Sequence, residues 1–267
     1  MLSLKNITLI GVLITFLFGL PSNLIAQNKL DEDGKKTGAW TGKYKDGSLR
    51  YKGQFKNDIP VDTFYYYYPQ GELKTRLVWL KSNESYATMY YSTGEKMAEG
   101  RYLDQKKTGK WITYGANEIK VNEGNYLNGK KIELWRTYYI NGKVADEVNF
   151  ISDLEIGPYK AFFETGELKQ TASYVDGYRK GETVVYHPNG KIKVKGQFEK
   201  DVKDGVWFYY DEEGNLEMEI EYELGKRITP YSEDELLEGL DKYKDNVKDE
   251  LEFEDMNGTI KYDEQRK

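Results

Sequence analysis

Apolar and polar residues alternate with a period of two along most of this chain, and the alternation restarts about every two dozen residues. The clearest copy runs from Gly205-Val206-Trp207-Phe208-Tyr209-Tyr210 through Gly214 and closes on Tyr222. Its form predicts a β-hairpin: an aromatic strand, a Gly turn and a half-apolar strand. The turn recurs at Gly47, Gly71, Gly94, Gly142, Gly166, Gly190 and Gly214, with Glu118 in the same place in the fourth unit. Successive turns stand 24 residues apart, except that Gly71 and Gly94 are 23 apart. Eight residues past each turn is an aromatic: Phe55, Trp79, Tyr102, Tyr126, Phe150, Tyr174, Phe198 and Tyr222. Four before it stand Tyr67, Tyr90, Tyr114, Tyr138, Phe162, Tyr186 and Tyr210, with Lys43 the exception. Seven before it stand Trp40, Phe64, Trp111, Trp135, Tyr159 and Trp207, broken by Ala87 and Thr183.

In the second strand, apolar residues two past the turn (Leu49, Leu73, Val144, Leu168, Ile192, Leu216) share parity with two other columns. These are the small or apolar residues six past it and the aromatics eight past it. All three are expected on one face of a strand. The residues between them are mostly polar, and a strand with one wet face belongs in an antiparallel sheet. In the first strand the two aromatic columns differ in parity, which calls for a bulge or for two partly covered faces. Lys193 and Lys195 occupy the unit positions of Glu217 and Glu219, so adjacent units are expected to pair these charges across strands.

The expected fold is all-β: an elongated antiparallel array of eight β-hairpin repeats over 37–228 with its apolar face buried collectively. Before it, Lys5, the apolar run Ile7–Leu20 and Ala26 read as a signal peptide over 1–26, followed by a polar, loose leader over 27–36. After it, an acidic cap covers 229–267. It comprises a helix over about 233–248 begun by a Ser232/Glu235 capping box and a hairpin over 251–262 turning at Asn257-Gly258. With +1 on residues 1–26 and −7 on 229–267, the net charge of −6 leaves the array neutral. A neutral array offers no basic stripe for a phosphate backbone, so nucleic acid is an unsuitable partner.

The residue types restrict the chemistry. The chain has no Cys and one His, His187, beside a turn, where an exposed or capping role is expected. Zinc sites are excluded on that count, and no calcium-loop pattern appears. No catalytic, cofactor or metal residues are assigned, and acid pairs such as Glu212/Glu213 read as a solvated face. The run Tyr65, Tyr66, Tyr67 and Tyr68 is the candidate interaction strip. Alternation places two of its rings on each face, either as core plus a covered second face or as an exposed strip for a protein or a glycan.

The pattern Gly109-Lys110-Trp111, Tyr114, Gly124-Asn125-Tyr126 resembles the MORN repeat, and more closely the bacterial MORN-repeat variant of YwqK-type proteins. The resemblance covers about 37–228 and implies a long, twisted antiparallel sheet with a scaffolding or interaction role and no active site. Combined with the signal peptide, it gives an expected function: an exported, non-enzymatic protein-interaction scaffold in the cell envelope, periplasmic, envelope-associated or secreted. Three alternatives stand beside it. The family's antitoxin label suggests an immunity protein for a toxin, the aromatics and acids a glycan-surface binder or hydrolase, and the family's association with lipid a membrane contact.

Overall fold

The computed structural model describes residues 28–230 and Ser232, and the expected signal peptide, C-terminal helix and final hairpin lie outside them. The described residues form one antiparallel sheet of 19 strands. Each hairpin follows the last in chain order: Lys36–Lys43 pairs with Leu49–Lys56, which pairs with Ile59–Tyr67, and so on to Leu216–Glu223 and Lys226–Arg227. The leader is not loose throughout. Lys29–Leu30 turns back and pairs with Lys36 and Thr37, covering the first edge.

Two kinds of turn alternate. At one end of the hairpins the turns are two residues long, with both residues left-handed, as at Asn57-Asp58 (φ 52° and 64°) and Lys200-Asp201 (φ 51° and 67°). Such turns match the twist of paired strands, and Asn and Asp tolerate the conformation. At the other end lie the Gly turns; Gly214, at φ 87°, donates its N–H to the Asp211 carbonyl. Where Glu118 replaces Gly, Asn117 and Glu118 both take positive φ, and the Glu118 carboxylate accepts the Lys96 N–H at 3.0 Å.

The residue three before the Gly turn joins successive hairpins. The hydroxyls of Tyr44, Tyr68, Tyr91 and Tyr139 donate to the carbonyls of Tyr67, Tyr90, Tyr114 and Phe162 in the next unit, at 2.7–3.0 Å. His187 replaces tyrosine in this ladder, its Nε2 2.9 Å from the Tyr210 carbonyl oxygen. Of the exposed or capping role expected, it takes the second: it is buried, and its ring fills the place of a ladder tyrosine.

Registers settle which columns share a face. In most Gly-turn hairpins the pairing slips by one residue beside the turn, as between Tyr209 and Tyr210. Trp207 lies opposite Ile220 and Tyr209 opposite Met218, but Tyr210 lies opposite Leu216. This bulge resets parity. The apolar column two past the turn therefore leaves the face of the other two columns and joins the tyrosines four before the turn on the opposite face. The charge pairing expected between adjacent units also fails. The second strands of neighbouring units are separated by a first strand, with Phe208 between Lys195 and Glu219. Lys195 instead meets Glu182 at 2.8 Å.

The core is a row along the middle of one face, where the residue six past one turn lies beside the residue seven before the next. Four of these seams set an aromatic on a glycine: Phe64 on Gly53, Trp111 on Gly100, Trp135 on Gly124 and Trp207 on Gly196. A Cβ on those glycines would fall 2.2–2.4 Å from the ring. Close approach to a ring thus explains these strand glycines. Where a larger residue replaces Gly, the partner shrinks: Leu77 faces Ala87, and Ala172 adjoins Thr183. Val148 facing Tyr159 is the exception, with both residues large. The sequence departures at Ala87 and Thr183 are therefore volume compensation. Trp111, Trp207 and Phe64 are 2–3% exposed, although no second layer covers the sheet among the described residues.

Two outcomes follow. Gly100→Leu should destabilise the fold by about 1–3 kcal/mol through overpacking, and Trp111→Ala by about 3–5 kcal/mol. In the double variant, denaturant unfolding should recover at least about 1 kcal/mol relative to the sum, and strict additivity would refute the complementarity. His187→Tyr should retain stability, whereas His187→Ala should lose about 1 kcal/mol in the same assay.

Candidate interaction face

The aromatics eight past each turn flank the central row on the same face and meet its rings edge to face. Centroid distances are 5.1 Å for Tyr102–Trp111, 6.2 Å for Trp111–Tyr126, 5.1 Å for Tyr126–Trp135 and 6.1 Å for Trp135–Phe150. The same geometry joins Trp40, Phe55 and Phe64 at the start, Tyr159 with Tyr174, and Phe198, Trp207 and Tyr222 at the end. Edge-to-face pairs place the positive rim of one ring on the negative face of another, worth about 0.5–1.5 kcal/mol each beyond burial.

A column of cations, unnoticed in the sequence, stands over these rings. Lys36 lies 5.1 and 5.0 Å from the Trp40 and Phe55 centroids, Lys107 4.4 and 4.9 Å from Trp111 and Tyr126. Lys131 lies 4.5 and 4.8 Å from Trp135 and Phe150, and Lys203 4.4 and 4.8 Å from Trp207 and Tyr222. Arg179 covers Phe198 at 4.0 Å. These residues stand eleven before the turn, and the four lysines each precede a Trp by four. The Lys-x-x-x-Trp spacing was thus available and puts both residues on one face; a bulge then brings them two register positions apart instead of four. Arg101 pairs with Thr108 and Gly100 with Trp111, leaving Gly109 and Lys110 as extra residues. Burial and the neighbouring Lys131 hold the Lys107 ammonium below its ordinary range.

The column is interrupted at units two and three, where Pro60 and Asn83 stand in its place, and at unit six, where Glu155 does. Each interruption adjoins a hollow. One, of about 240 Å³, is lined by residues including Lys131, Asp146, Glu155, Tyr159 and Tyr174. The other, of about 600 Å³, is lined by residues including Tyr66, Leu77, Trp79, Ala87, Met89 and Tyr102. Burial pushes the Tyr102 phenol up. The Trp79 indole N–H is buried without a hydrogen-bond partner, whereas Trp111, Trp135 and Trp207 donate to the carbonyls of Arg101, Asn125 and Gln197 at 3.0–3.2 Å.

The four consecutive tyrosines are divided. Tyr66 lies on the ring face, stacked on Phe64 at 6.3 Å, and Tyr65 and Tyr67 lie on the other face under Lys52. Tyr68 is a rung of the turn ladder. All four are half-buried, so they form no single exposed strip.

The opposite face carries ion clusters. Tyr138 donates to Glu123 at 2.6 Å, and the ammoniums of Lys110 and Lys120 approach it at 2.9 and 3.3 Å. One unit earlier, Tyr114 donates to Glu99, which Lys96 approaches at 3.4 Å. Burial raises the Glu123 pKa, but the Tyr138 hydrogen bond and the two ammoniums outweigh it and hold the carboxyl at about 2. Among the described residues no group of three or more His, Cys, Asp or Glu side chains is placed to hold a metal ion.

A one-layer sheet of consecutive hairpins with a repeated ring-and-cation seam is a hairpin-repeat protein. Four of its units, residues 36–57, 155–176, 179–200 and 203–224, match the family described as MORN repeat variant, and these units are MORN-variant repeats. The four units between them, 58–154, hold the shortened spacing, Ala87 and Glu118. No curated protein matches the chain. Among solved structures it is similar to a mutant of S. aureus TarM in complex with Fondaparinux, alpha-GlcNAc-glycerol and UDP. That match has 16% identity and a TM-score of 0.21, over 46% of this chain and 21% of that one. It is also similar to the TcdB2-TccC3-Cdc42 structure, with 11% identity and a TM-score of 0.18, over 70% of this chain and 14% of that one. The chain thus spans about a fifth or less of these longer chains.

The Glu123 cluster makes a pH prediction. Its folded pKa, about 2, lies below the ordinary 4.5, so its stabilisation is complete above 4.5 and lost as pH falls through about 2. Thermal unfolding of Glu123→Gln should show a shallower loss of midpoint over that acid range than the parent chain. Parallel curves would exclude the cluster as a contributor.

Proposed function

We propose that this protein is an exported, non-enzymatic scaffold of the cell envelope that binds a protein partner with its ring face. MORN repeats commonly mediate protein or membrane interactions and are typically non-catalytic, which supports the class of this reading. The observation that carries it is the single-layered sheet: its ring row has no second layer among the described residues, and it opens into an apolar groove of about 600 Å³ at units two and three. Apolar, aromatic-lined concavities with a polar rim are the usual anchors of protein interfaces. Export rests on the sequence alone, on Lys5, the Ile7–Leu20 run and Ala26.

Two measurements test the parts separately. The full chain expressed in its native host should be recovered outside the cytoplasm with an amino terminus near Gln27; a cytoplasmic chain beginning at Met1 would remove export. Crosslinking of the full chain in envelope extracts should give a reproducible protein adduct through the ring face, lost on Met89→Asp and retained on Val206→Asp on the opposite face. Adducts indifferent to both substitutions would remove the ring face as the binding surface.

A further inference from the structure

The repeat itself indicates what the groove at units two and three lacks. In five units a cation eleven before the turn lies over the row, within 4.0–5.1 Å of the rings it caps. Trp79 and Tyr102 occupy the same flanking column, but the chain provides no such cation there. At Trp79 the place of the cation is held by Pro60, and at Tyr102 the reason is the shortened spacing. In unit four, Lys107 lies opposite Tyr102 of the preceding unit, and a bulge then sets Gly109 opposite Tyr126. In unit three no bulge separates these positions, and Ser85 alone lies opposite both Trp79 and Tyr102. Asn83, eleven before the turn, falls in the short turn itself, and a short hydroxyl, Ser85, stands at the register place where the lattice elsewhere carries a lysine stem and ammonium.

The gap is also electrostatically one-sided. The groove's lining includes the Asp104 carboxylate and no Lys or Arg. Asp104 is held by the Asn83 side-chain amide at 3.0 Å, at the groove's rim. The smaller hollow at unit six differs, because Lys131 already lines it. The missing ring at Ala87 gives the groove its depth, and the missing cation leaves its aromatic faces uncapped on the protein side.

We propose that this groove binds a lysine side chain presented by the protein partner, with the butylammonium stem on Leu77 and Ala87 and the ammonium between the Trp79 and Tyr102 rings, facing Asp104. The proposal rests on the scaffold reading and names the chemistry of its partner. The site is complementary in shape to the stem, in quadrupole to the ammonium and in charge through Asp104. The internal lysines on the same face serve as its template.

The test uses the full chain, labelled with ¹⁵N, and n-butylammonium chloride as the probe, with n-butanol at matched ionic strength as the uncharged control. The Trp79 indole resonance should shift saturably with butylammonium, with an apparent affinity about tenfold above that for butanol. Ser85→Lys, which returns the cation to the lattice, should abolish the response. Asp104→Asn, at an exposed turn position, should weaken it several-fold while leaving the spectrum otherwise unchanged. An equal response to butanol, no saturable response, or a response that survives Ser85→Lys in a folded spectrum would each overturn the proposal. If Ser85→Lys does not fold, the Asp104→Asn titration and the butanol comparison decide it. The crosslinking result stands apart: a ring-face adduct with no ammonium preference would retain the scaffold and discard the lysine site.

Discussion

The structure depends on a ring pressed against a backbone that has no side chain. In a one-layer sheet there is no second sheet to exclude water from the core, so each large residue must be covered by its own neighbours. An indole laid flat on Gly100 or Gly124 does this, because the glycine lets the ring sink to the level of the strand. The flanking aromatics then close over it edge to face, and the lysine stems close the remaining opening, with the Lys107 ammonium partly desolvated above the ring. Burial to a few per cent follows without any packing partner from elsewhere among the described residues. The contacts are local to adjacent strands, and stability is shared along the row, as expected of a quasi-one-dimensional array.

The two ends of the hairpins support this row differently. At the Gly-turn end, four tyrosine hydroxyls and the His187 imidazole stitch their loops to carbonyls of the next unit. At the short-turn end, backbone amides of one turn bond the carbonyls at the cation positions of the previous unit, as Asp58 does to Lys36 and Asp153 to Lys131. The carboxylates of these two aspartates accept the N–H of the same lysines at 2.9 and 2.7 Å. These contacts fix where the cation column begins, so its ammoniums are carried by ordered backbone. The opposite face uses tyrosine, carboxylate and lysine in threes, and its depressed Glu123 pKa reflects the same local satisfaction of polar groups.

The hairpin and its period were legible because each unit repeats one aromatic and one turn column, and eight copies outweigh individual exceptions such as Glu118. The faces were only half legible. Leu216 and Tyr222 share parity in sequence, yet the bulge at Tyr210 separates them, and alternation carries no record of an inserted residue. The cation column was missed for a related reason: Lys107 and Trp111 share parity and a face, but only the extra pair Gly109-Lys110 brings the ammonium within reach of the ring. His187 read as a surface turn residue because nothing in its own neighbourhood reveals that the next hairpin supplies its partner. The groove could not be read at all. It arises from one missing residue acting together with Ala87, and neither departure has meaning until the registers on both sides are known.

The pairing of each row residue with the next also sets a grammar for how such a molecule lengthens or shortens. A copy of the hairpin bounded by Gly on one side and Trp on the other can be duplicated or excised, and the new junction still matches, since Gly100 would meet Trp135 as well as it meets Trp111. A copy bounded by Leu77 and Ala87 belongs to a different class, and splicing it against a Trp-bearing neighbour would force two bulky groups into one place. The stretch with the groove is therefore the least interchangeable part of the ribbon, a fixed landmark in an otherwise modular length.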